Sequence, residues 1–446
     1  MVTIKVPKPF IELLKEIEPL KFIALTEKYQ ATDAQGRYLH WHEFKWRVQS
    51  GDELAAWTAT KLARKSITKT LPLLAEREHY FGYCVPDSLF AKLHAIDQKT
   101  GGGWQISDGK FLSSQEKNHY LVRSLMQEEA ITSAQLEGAS TTREIAKEML
   151  QRNLPPKDKS QQMILNNYLL MQKAIEKKDE TLSIDFILEL HQIATRNAIE
   201  NNAISGELRN SNNVIVADSY GENYFYPPDY NTLKDRLHSL CEFANDDHSE
   251  QNNFIHPMIK AIILHFMIAY IHPFGDGNGR TARAIFYWSI LRSGYWLFEY
   301  VSISKLIQEK RSAYDKAFLY TETDEFDLTY FIYNQVDTIE KAVNSLGAHI
   351  ESKKREFHEF SNWIDQSSVA KTLKRGELEI LQEAKRKPGW EFTAKQVAVD
   401  LGITVNTARS YLNNLVAHDL LIKAQSKSDK TVIYLAPANL RARLKL

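Results

Sequence analysis

One run of the chain concentrates residues able to do chemistry: His272-Pro273-Phe274-Gly275-Asp276-Gly277-Asn278-Gly279-Arg280-Thr281-Ala282-Arg283. It reads as a helix end, a glycine-rich turn and a new helix start. Gly275, Gly277 and Gly279 let the backbone take positive φ and approach a ligand closely. Successive N–H groups in such a turn, feeding a helix N-terminus, make an anion nest that suits phosphates. Arg280 and Arg283 lie three apart on the new helix, which aims both guanidinium forks at the same ligand. Asp276 supplies a hard oxygen of the kind that suits Mg²⁺ bridging phosphates. His272, with an ordinary pKa of about 6.5, can take a proton at neutral pH. Together these are the parts needed for phosphoryl or nucleotidyl transfer. The plain alternative is a turn between two core helices with His272 as a cap. Such a turn needs neither two arginines nor a base.

Spacing sets other chemistries aside. His256, His265 and His272 are nine and seven residues apart. On a helix the first two fall on opposite faces, and the last two sit ~10 Å apart along the axis. Zinc–nitrogen bonds of about 2 Å cannot bridge that gap. The two cysteines, Cys84 and Cys241, have no CxxC or Cys/His spacing. A disulfide framework and a thiolate zinc site are excluded, and a reducing compartment fits. Gly101–Gly103 precede Trp104 and not a lysine, so they read as a turn and not as a phosphate loop.

The elements that must position this run follow from periodicity. Helical patterns cover Leu54–Thr70, a stretch from Glu116 with Leu121, Leu125 and Met126 on one stripe, Met163–Lys177, Ile184–Ala198 and His256–Tyr270. Thr141 to Glu144 has the form of a capping box opening a helix with Ile145, Met149 and Leu150. Val214–Ala217 and Tyr224–Tyr226, around a polar turn, predict a hairpin. At 446 residues the chain has room for about three domains. Lys+Arg and Asp+Glu are both 56, so no global field marks a bulk nucleic-acid or membrane-surface binder. Ala261–Ile271 is broken by His265 and falls short of the ~20 residues of a spanning helix. Met1–Lys5 lacks a secretory plan. The expectation is a cytoplasmic protein with no membrane partner.

The run 272–283 resembles the Fic-domain signature, His-x-Phe-x-(Asp/Glu)-Gly-Asn-Gly-Arg-x-x-Arg, at every defined position. The resemblance covers about residues 115–335. It implies an all-helical core that moves AMP from ATP onto a protein hydroxyl and releases pyrophosphate. Carried over by position, it implies that His272 deprotonates the attacking Tyr, Thr or Ser and that Asp276 holds Mg²⁺. It makes Gly277, Asn278 and Gly279, in the turn begun by Gly275, a cradle for phosphates. Arg280 and Arg283 bind the β/γ end of ATP, and Phe274 anchors the loop. Upstream, Ser133-Ala134-Gln135-Leu136-Glu137-Gly138 resembles the self-inhibition motif (Ser/Thr)-x-x-x-Glu-(Gly/Asn). Ser133 and Glu137 share a helix face. The resemblance implies that Glu137 pairs with Arg283 in place of the γ-phosphate. The hairpin resembles the family flap, where Val214, Ile215, Val216 and Ala217 would hold a target segment by strand addition. Tyr314 reads as core packing.

From about residue 371 the character changes. Fourteen Lys/Arg face seven Asp/Glu in 371–446, a net of +7 that leaves −7 for the first 370 residues. Phe392–Leu401 reads as a helix, Gly402 as a turn and Thr404 as the cap of a second helix. Leu420–Ala424 and Thr431–Leu435 then flank Ser426–Lys430 as a two-strand wing. This is a winged helix-turn-helix pattern, with Asn406, Thr407, Arg409 and Ser410 as base-reading candidates and Lys427 and Lys430 on the wing. DNA binding and protein docking or dimerisation both stand as its role.

The expected architecture is mainly α, a helical Fic core with a short β-hairpin flap plus a C-terminal winged helix-turn-helix domain. Its parts are an accessory region 1–114, the core 115–335 with an inhibitory helix about 131–138 and a flap about 213–226, a helical linker 336–370 and the winged helix 371–446. The expected function is ATP- and Mg²⁺-dependent adenylylation of a hydroxyl-bearing protein, which includes the chain itself as a candidate target. A homodimer is a candidate assembly. The alternatives are a nucleotide-sensing DNA-binding regulator and a bidirectional enzyme that also removes AMP.

Overall fold

The computed structural model describes residues 4, 6–49, 51–76, 79–100, 115–199, 203–217, 224–250, 253–386, 388–425 and 431–444. Side chains of 115–125, and of a few positions in 349–361 and at 386, are not described. The chain is mainly helical and divides into two compact units, Met1–Leu346 and Gly347–Leu446.

The first unit begins with α1 (Phe10–Glu16), α2 (Pro19–Lys28), α3 (Trp41–Phe44) and α4 (Glu53–Ile67), then β1 (Lys69–Leu74), β2 (Tyr80–Tyr83) and α5 (Asp87–Thr100). The core continues with α6 (Gln115–Leu136), α7 (Arg143–Gln151), α8 (Lys159–Glu176), α9 (Ile184–Thr195), β3 (Val216–Ala217), β4 (Tyr224–Phe225) and α10 (Leu233–Asn245). It ends with α11 (Pro257–Ile271), α12 (Asn278–Arg292), α13 (Ile303–Glu309), α14 (Arg311–Thr323) and the first part of α15 (Thr329–Gln366), whose residues from Gly347 on belong to the second unit.

Helices α11 and α12 form its centre: α11 is apolar on nearly every face, and α12 buries its polar residues with hydrogen-bond partners beside its apolar ones. Twelve of fifteen residues of α11 and thirteen of fifteen of α12 are buried. Pro257 opens α11 without loss, since its missing N–H is one of the orphans of a first turn. Phe266 and Tyr270 of α11 meet Phe81 of β2 edge-on, at 5.5 and 5.0 Å between ring centres.

Residues 1–100 join the same unit as the core. The reason is a buried polar network that apolar periodicity does not register. Lys61 pairs with Asp324 at 2.8 Å, and Arg64 donates to the Tyr330 hydroxyl at 2.7 Å. Tyr38 donates to Asp327 at 2.5 Å. Buried charges persist only when paired in this way.

Several local expectations are corrected. The Leu54–Thr70 helix stops at Ile67, and Lys69–Leu74 enters a hairpin with β2. The helix after residue 141 starts at Arg143 on Thr142 as N-cap, without a side-chain capping bond. Met149 and Leu150 are buried, but Ile145 is 49% exposed. The hairpin is short, with Val216 opposite Phe225 and Ala217 opposite Tyr224. Residues 218–223 lie outside the described structure.

The second unit holds α16 (Arg375–Arg386), β5 (Glu391–Phe392), α17 (Ala394–Leu401), α18 (Val405–Ala417), β6 (Ile422–Gln425), β7 (Val432–Leu435) and α19 (Leu440–Arg443). Its own core includes Leu381, Ala408, Leu412 and Leu415, all fully buried. Thr393 and Thr404 cap α17 and α18 through their hydroxyls, and Gly402 ends α17 at φ 64°. Phe392 begins no helix. It pairs with Tyr434 in an antiparallel sheet ordered β5-β7-β6, and the helix starts only after the Thr393 cap.

Candidate functional site

The site grows from the junction of α11 and α12. His272 closes α11 in the left-handed conformation (φ 49°, ψ 57°), unusual for a residue with a Cβ. Its N–H donates to the Ile268 carbonyl at 3.0 Å, and Pro273 blocks any further turn. Nδ1 lies 3.2 Å from the Ala269 carbonyl, so it carries the proton and leaves Nε2 as the basic atom. Burial drives the His272 pKa down to about 4; Arg209 adds to the shift, and the Ala269 bond, Glu137 and Asp276 oppose it. The imidazole is therefore neutral at physiological pH.

The turn that follows is held by its own side chains. Asn278 accepts from the Phe274 N–H at 3.0 Å and donates to the Phe274 carbonyl at 2.8 Å. Its amide closes the loop. Gly277 sits at φ 81° as the N-cap of α12, where a side chain would be strained. Gly279 is required for a different reason: a Cβ there would run into Glu137 Oε1. Gly275 faces Ala203. The first N–H groups of α12 have no partner within the helix and carry the positive end of its dipole, which favours an anion.

The two arginines have different protein partners, and both act on the Glu137 carboxylate. Arg280 is 1% exposed. Its Nη1 donates to the Ala194 carbonyl at 2.7 Å and its Nη2 to Asp276 Oδ1 at 3.1 Å. The last carbonyls of α9 lack helical partners, and Arg280 satisfies one of them. Arg283 turns instead to α6. Nε donates to Ser133 Oγ at 2.9 Å, and Nη2 donates to the Ser133 carbonyl at 3.1 Å and to Glu137 Oε1 at 2.9 Å. Burial alone would raise the Glu137 carboxyl, but Arg283 and Arg280 outweigh it and hold the pKa below the ordinary value. Glu137 is a carboxylate seated on a guanidinium at the mouth of an anion nest.

Two residues of the site escaped the sequence reading. His191 of α9 stacks on Phe274 with ring centres 3.7 Å apart and planes 2° from parallel. Its Nε2 lies 2.9 Å from the Asp276 carbonyl, and its Nδ1 accepts from the Gly206 N–H at 3.0 Å. Burial pushes its pKa down to about 4, so it stays neutral and can donate on one side while accepting on the other. Arg209 fastens the approach to the hairpin. Its N–H donates to the Pro273 carbonyl and its Nε to the His272 carbonyl, both at 2.9 Å; its Nη2 reaches the Pro228 carbonyl. No local signal marks His191 as different from any other helical histidine. For Arg209 the break in periodicity at Gly206 was the available sign.

Val214 and Ile215 precede β3, with Ile215 53% exposed, and Val216 and Ala217 form it. Tyr314 is buried with its hydroxyl 3.1 Å from His265 Nε2. His256 caps α11 and lies 2.9 Å from Asp97. On α18, Asn406, Arg409 and Ser410 are exposed and Thr407 bonds the Thr404 hydroxyl at 2.9 Å. Lys427 and Lys430 lie outside the described residues. Among the described residues no three His, Cys, Asp or Glu form a metal cage, and no helix is long and apolar enough to cross a membrane.

A neutral histidine, the N-terminus of a helix and two buried arginines meet at this junction of a helical domain. Comparison with known proteins names that domain: residues 181–290, from the end of the α8–α9 connection through most of α12, match the model of the Fic/DOC family. Protein adenylyltransferase fic-1 of Caenorhabditis elegans is 31% identical over 121 residues, 27% of this chain and 22% of that protein. Protein adenylyltransferase Fic of Nematostella vectensis is 32% identical over 119 residues, 27% of this chain and 25% of that protein. A crystal structure of a Fic family protein from Desulfovibrio desulfuricans G20 superposes with a TM-score of 0.48 at 18% identity, over 77% of this chain and 94% of that one. The chain therefore carries a Fic domain and is homologous over it to protein adenylyltransferases. It spans about a quarter of the length of these curated relatives.

Proposed function

We propose that this protein transfers AMP from ATP to a Tyr, Thr or Ser hydroxyl of a protein and that Glu137 restrains the reaction. The observation that carries this reading is the junction of α11 and α12, where a neutral His272 immediately precedes the turn into α12 while Arg283 is engaged by Glu137. The triphosphate lies against the N–H groups that open α12. His272 Nε2 takes the proton of the incoming hydroxyl as its oxygen bonds to the α-phosphorus. The bond from that phosphorus to the bridging oxygen breaks, and pyrophosphate leaves. Neutrality of His272 is what makes it a base at the outset.

Asp276 suits Mg²⁺. A single carboxylate beside bound phosphates matches an ion that keeps waters and takes one or two protein oxygens. When bound, the ion would neutralise charge developing on the phosphates. Arg280 holds the Asp276 carboxylate in place from below.

Glu137 blocks by occupancy: with its carboxylate on Arg283, the γ-phosphate loses its partner and the triphosphate is kept from the in-line geometry that attack requires. Strand addition at Val214–Ala217 is the proposed hold on the target. The second unit, with exposed Asn406, Arg409 and Ser410 on α18, is proposed as a winged helix-turn-helix for docking on DNA or on a protein partner. Incubation with α-labelled ATP and Mg²⁺ tests the main reading: label becomes covalent on protein with wild type and not with His272→Ala, which still binds ATP. A DNA mobility shift without label would favour a nucleotide-sensing regulator instead.

A further inference from the structure

Glu137, in the turn that closes α6, continues a row of residues directed at α12 and the segment after it. Glu129, Ser133 and Glu137 are four apart, as are Gly279, Arg283 and Tyr287 on α12, and residues at that spacing share a helix face. The two rows meet level by level. Glu137 lies over Gly279 and, with Ser133, bonds Arg283. One level on, Glu129 and Tyr287 both grip the segment that opens α13. Tyr287 donates to the Val301 carbonyl at 2.9 Å and accepts from the Ile303 N–H at 3.1 Å. Glu129 accepts from Ser302 Oγ at 2.7 Å, from the Ser304 N–H at 3.0 Å and from Ser304 Oγ at 2.5 Å.

Two features make this more than ordinary packing. Glu129 is 2% exposed and Ser304 fully buried, so the three hydrogen bonds replace water that the carboxylate has lost. Helix α13 begins at Ser302 with no side-chain cap of its own. Glu129 of α6 supplies the negative group that its N-terminus needs. The grip therefore fixes α6 in rotation and height relative to α13, two turns before Glu137. Further along, Arg311 reaches the Leu136 carbonyl at 3.4 Å, a longer and weaker hold. Glu129 is one of the holds on the end of α6 that leads into Glu137, beside Asn167, which donates to the Ala130 carbonyl at 3.3 Å, and Arg143, which pairs with Glu128.

We propose that Glu129 is a positioning residue of the self-restraint: it holds α6 in the one placement from which Glu137 reaches Arg283. This rests on the reading that Glu137 restrains transfer. Loosening the anchor leaves the Glu137 carboxylate in the protein but lowers the fraction of time it spends on Arg283, and ATP gains access in that interval.

The test uses the full chain. Glu129→Gln removes the charge at nearly constant shape. A second variant, Ser302→Ala with Ser304→Ala, removes the side-chain donors and leaves α6 untouched. Initial rates of AMP incorporation and the thermal shift produced by ATP are measured for both, beside Glu137→Gly. Both variants should raise the rate by of order tenfold, less than Glu137→Gly, because the blocking group is retained. Both should enlarge the ATP-induced shift. Neither should raise the rate further in a Glu137→Gly background, since all act through one contact. A merely structural Glu129 would lower thermal stability without raising activity. Rates at or below wild type in both variants, with Glu137→Gly raised, would overturn the anchor and spare the restraint. A flat Glu137→Gly rate would overturn both. Should Glu129→Gln prove insoluble, the serine pair carries the same test.

Discussion

Removing the Glu137 carboxylate chiefly perturbs its contact with Arg283, and the magnitude of that contact follows from the geometry. The Glu137–Arg283 pair is 2.9 Å apart, with 3% of the arginine side chain and 27% of the glutamate exposed. At an effective dielectric of 20 the bare attraction is about 6 kcal/mol. Most of that is offset by the water both groups give up. What survives for a charge-assisted hydrogen bond is about 1.5–3 kcal/mol. A phosphate oxygen competing for Arg283 has to overcome this difference, so Glu137→Gly should raise adenylylation by about one to two orders of magnitude. Glu137→Gln keeps an acceptor and loses the charge, and should fall between. Arg283→Ala in the Glu137→Gly background should lose the gain, because the freed guanidinium is what the γ-phosphate uses. The assay is the initial rate of AMP incorporation for wild type, each single variant and the double. Because Glu137 is held ionised below the ordinary carboxylate range, the ratio of variant to wild-type rate should stay level from pH 8 down to pH 5. A Glu137→Gly rate equal to wild type would refute the argument at its root.

Three further outcomes are expected. The single-turnover rate of transfer should hold steady from pH 8 to about 5 and fall only as pH approaches 4, where His272 gains its proton; a midpoint near 6.5 in rapid-mixing measurements would contradict the buried neutral base. His40 and His265, both fully buried, have pKa values pushed down to about 3, and that of His191 is pushed down to about 4. As pH falls below about 6.5 the unfolded chain therefore binds protons first, and each site weakens folding by up to tenfold per pH unit. Denaturant midpoints should drop steadily from pH 7 to 5, less steeply in His265→Gln, and an unchanged midpoint would count against neutral burial. A chain ending at Leu346, where the first unit ends, should keep transfer activity, since the second unit has a core of its own; a soluble but inert product would show the units to be functionally coupled.

Much of the secondary structure was legible because its determinants are local. Apolar residues on every face of 257–271 announce a central helix, and Thr404 followed by Val405 announces a capped one. Legibility failed where a local pattern competes with a distant partner. Lys69–Leu74 reads as the tail of a helix until Tyr80–Tyr83 pairs with it, and Phe392 reads as helical until Tyr434 draws it into a sheet. Residues 1–100 carried no functional sign. Their attachment to the core runs through Lys61, Arg64 and Tyr38, polar residues that apolar periodicity passes over.

The same division runs through the site. The sequence by itself determined that a helix ends at His272, turns through Gly277 and restarts at Asn278, because proline geometry and positive φ are properties of the residues concerned. It also determined that Ser133 and Glu137 share a face, which spacing alone dictates. Only the tertiary structure decided what each side chain meets. Arg280 caps a carbonyl 86 residues away, Arg209 clasps the His272 carbonyl across 63 residues, and Glu129 grips Ser304 across 175. A buried polar group takes whichever partner the packed helices bring within hydrogen-bond reach, and that choice is made in three dimensions after the local pattern has been satisfied.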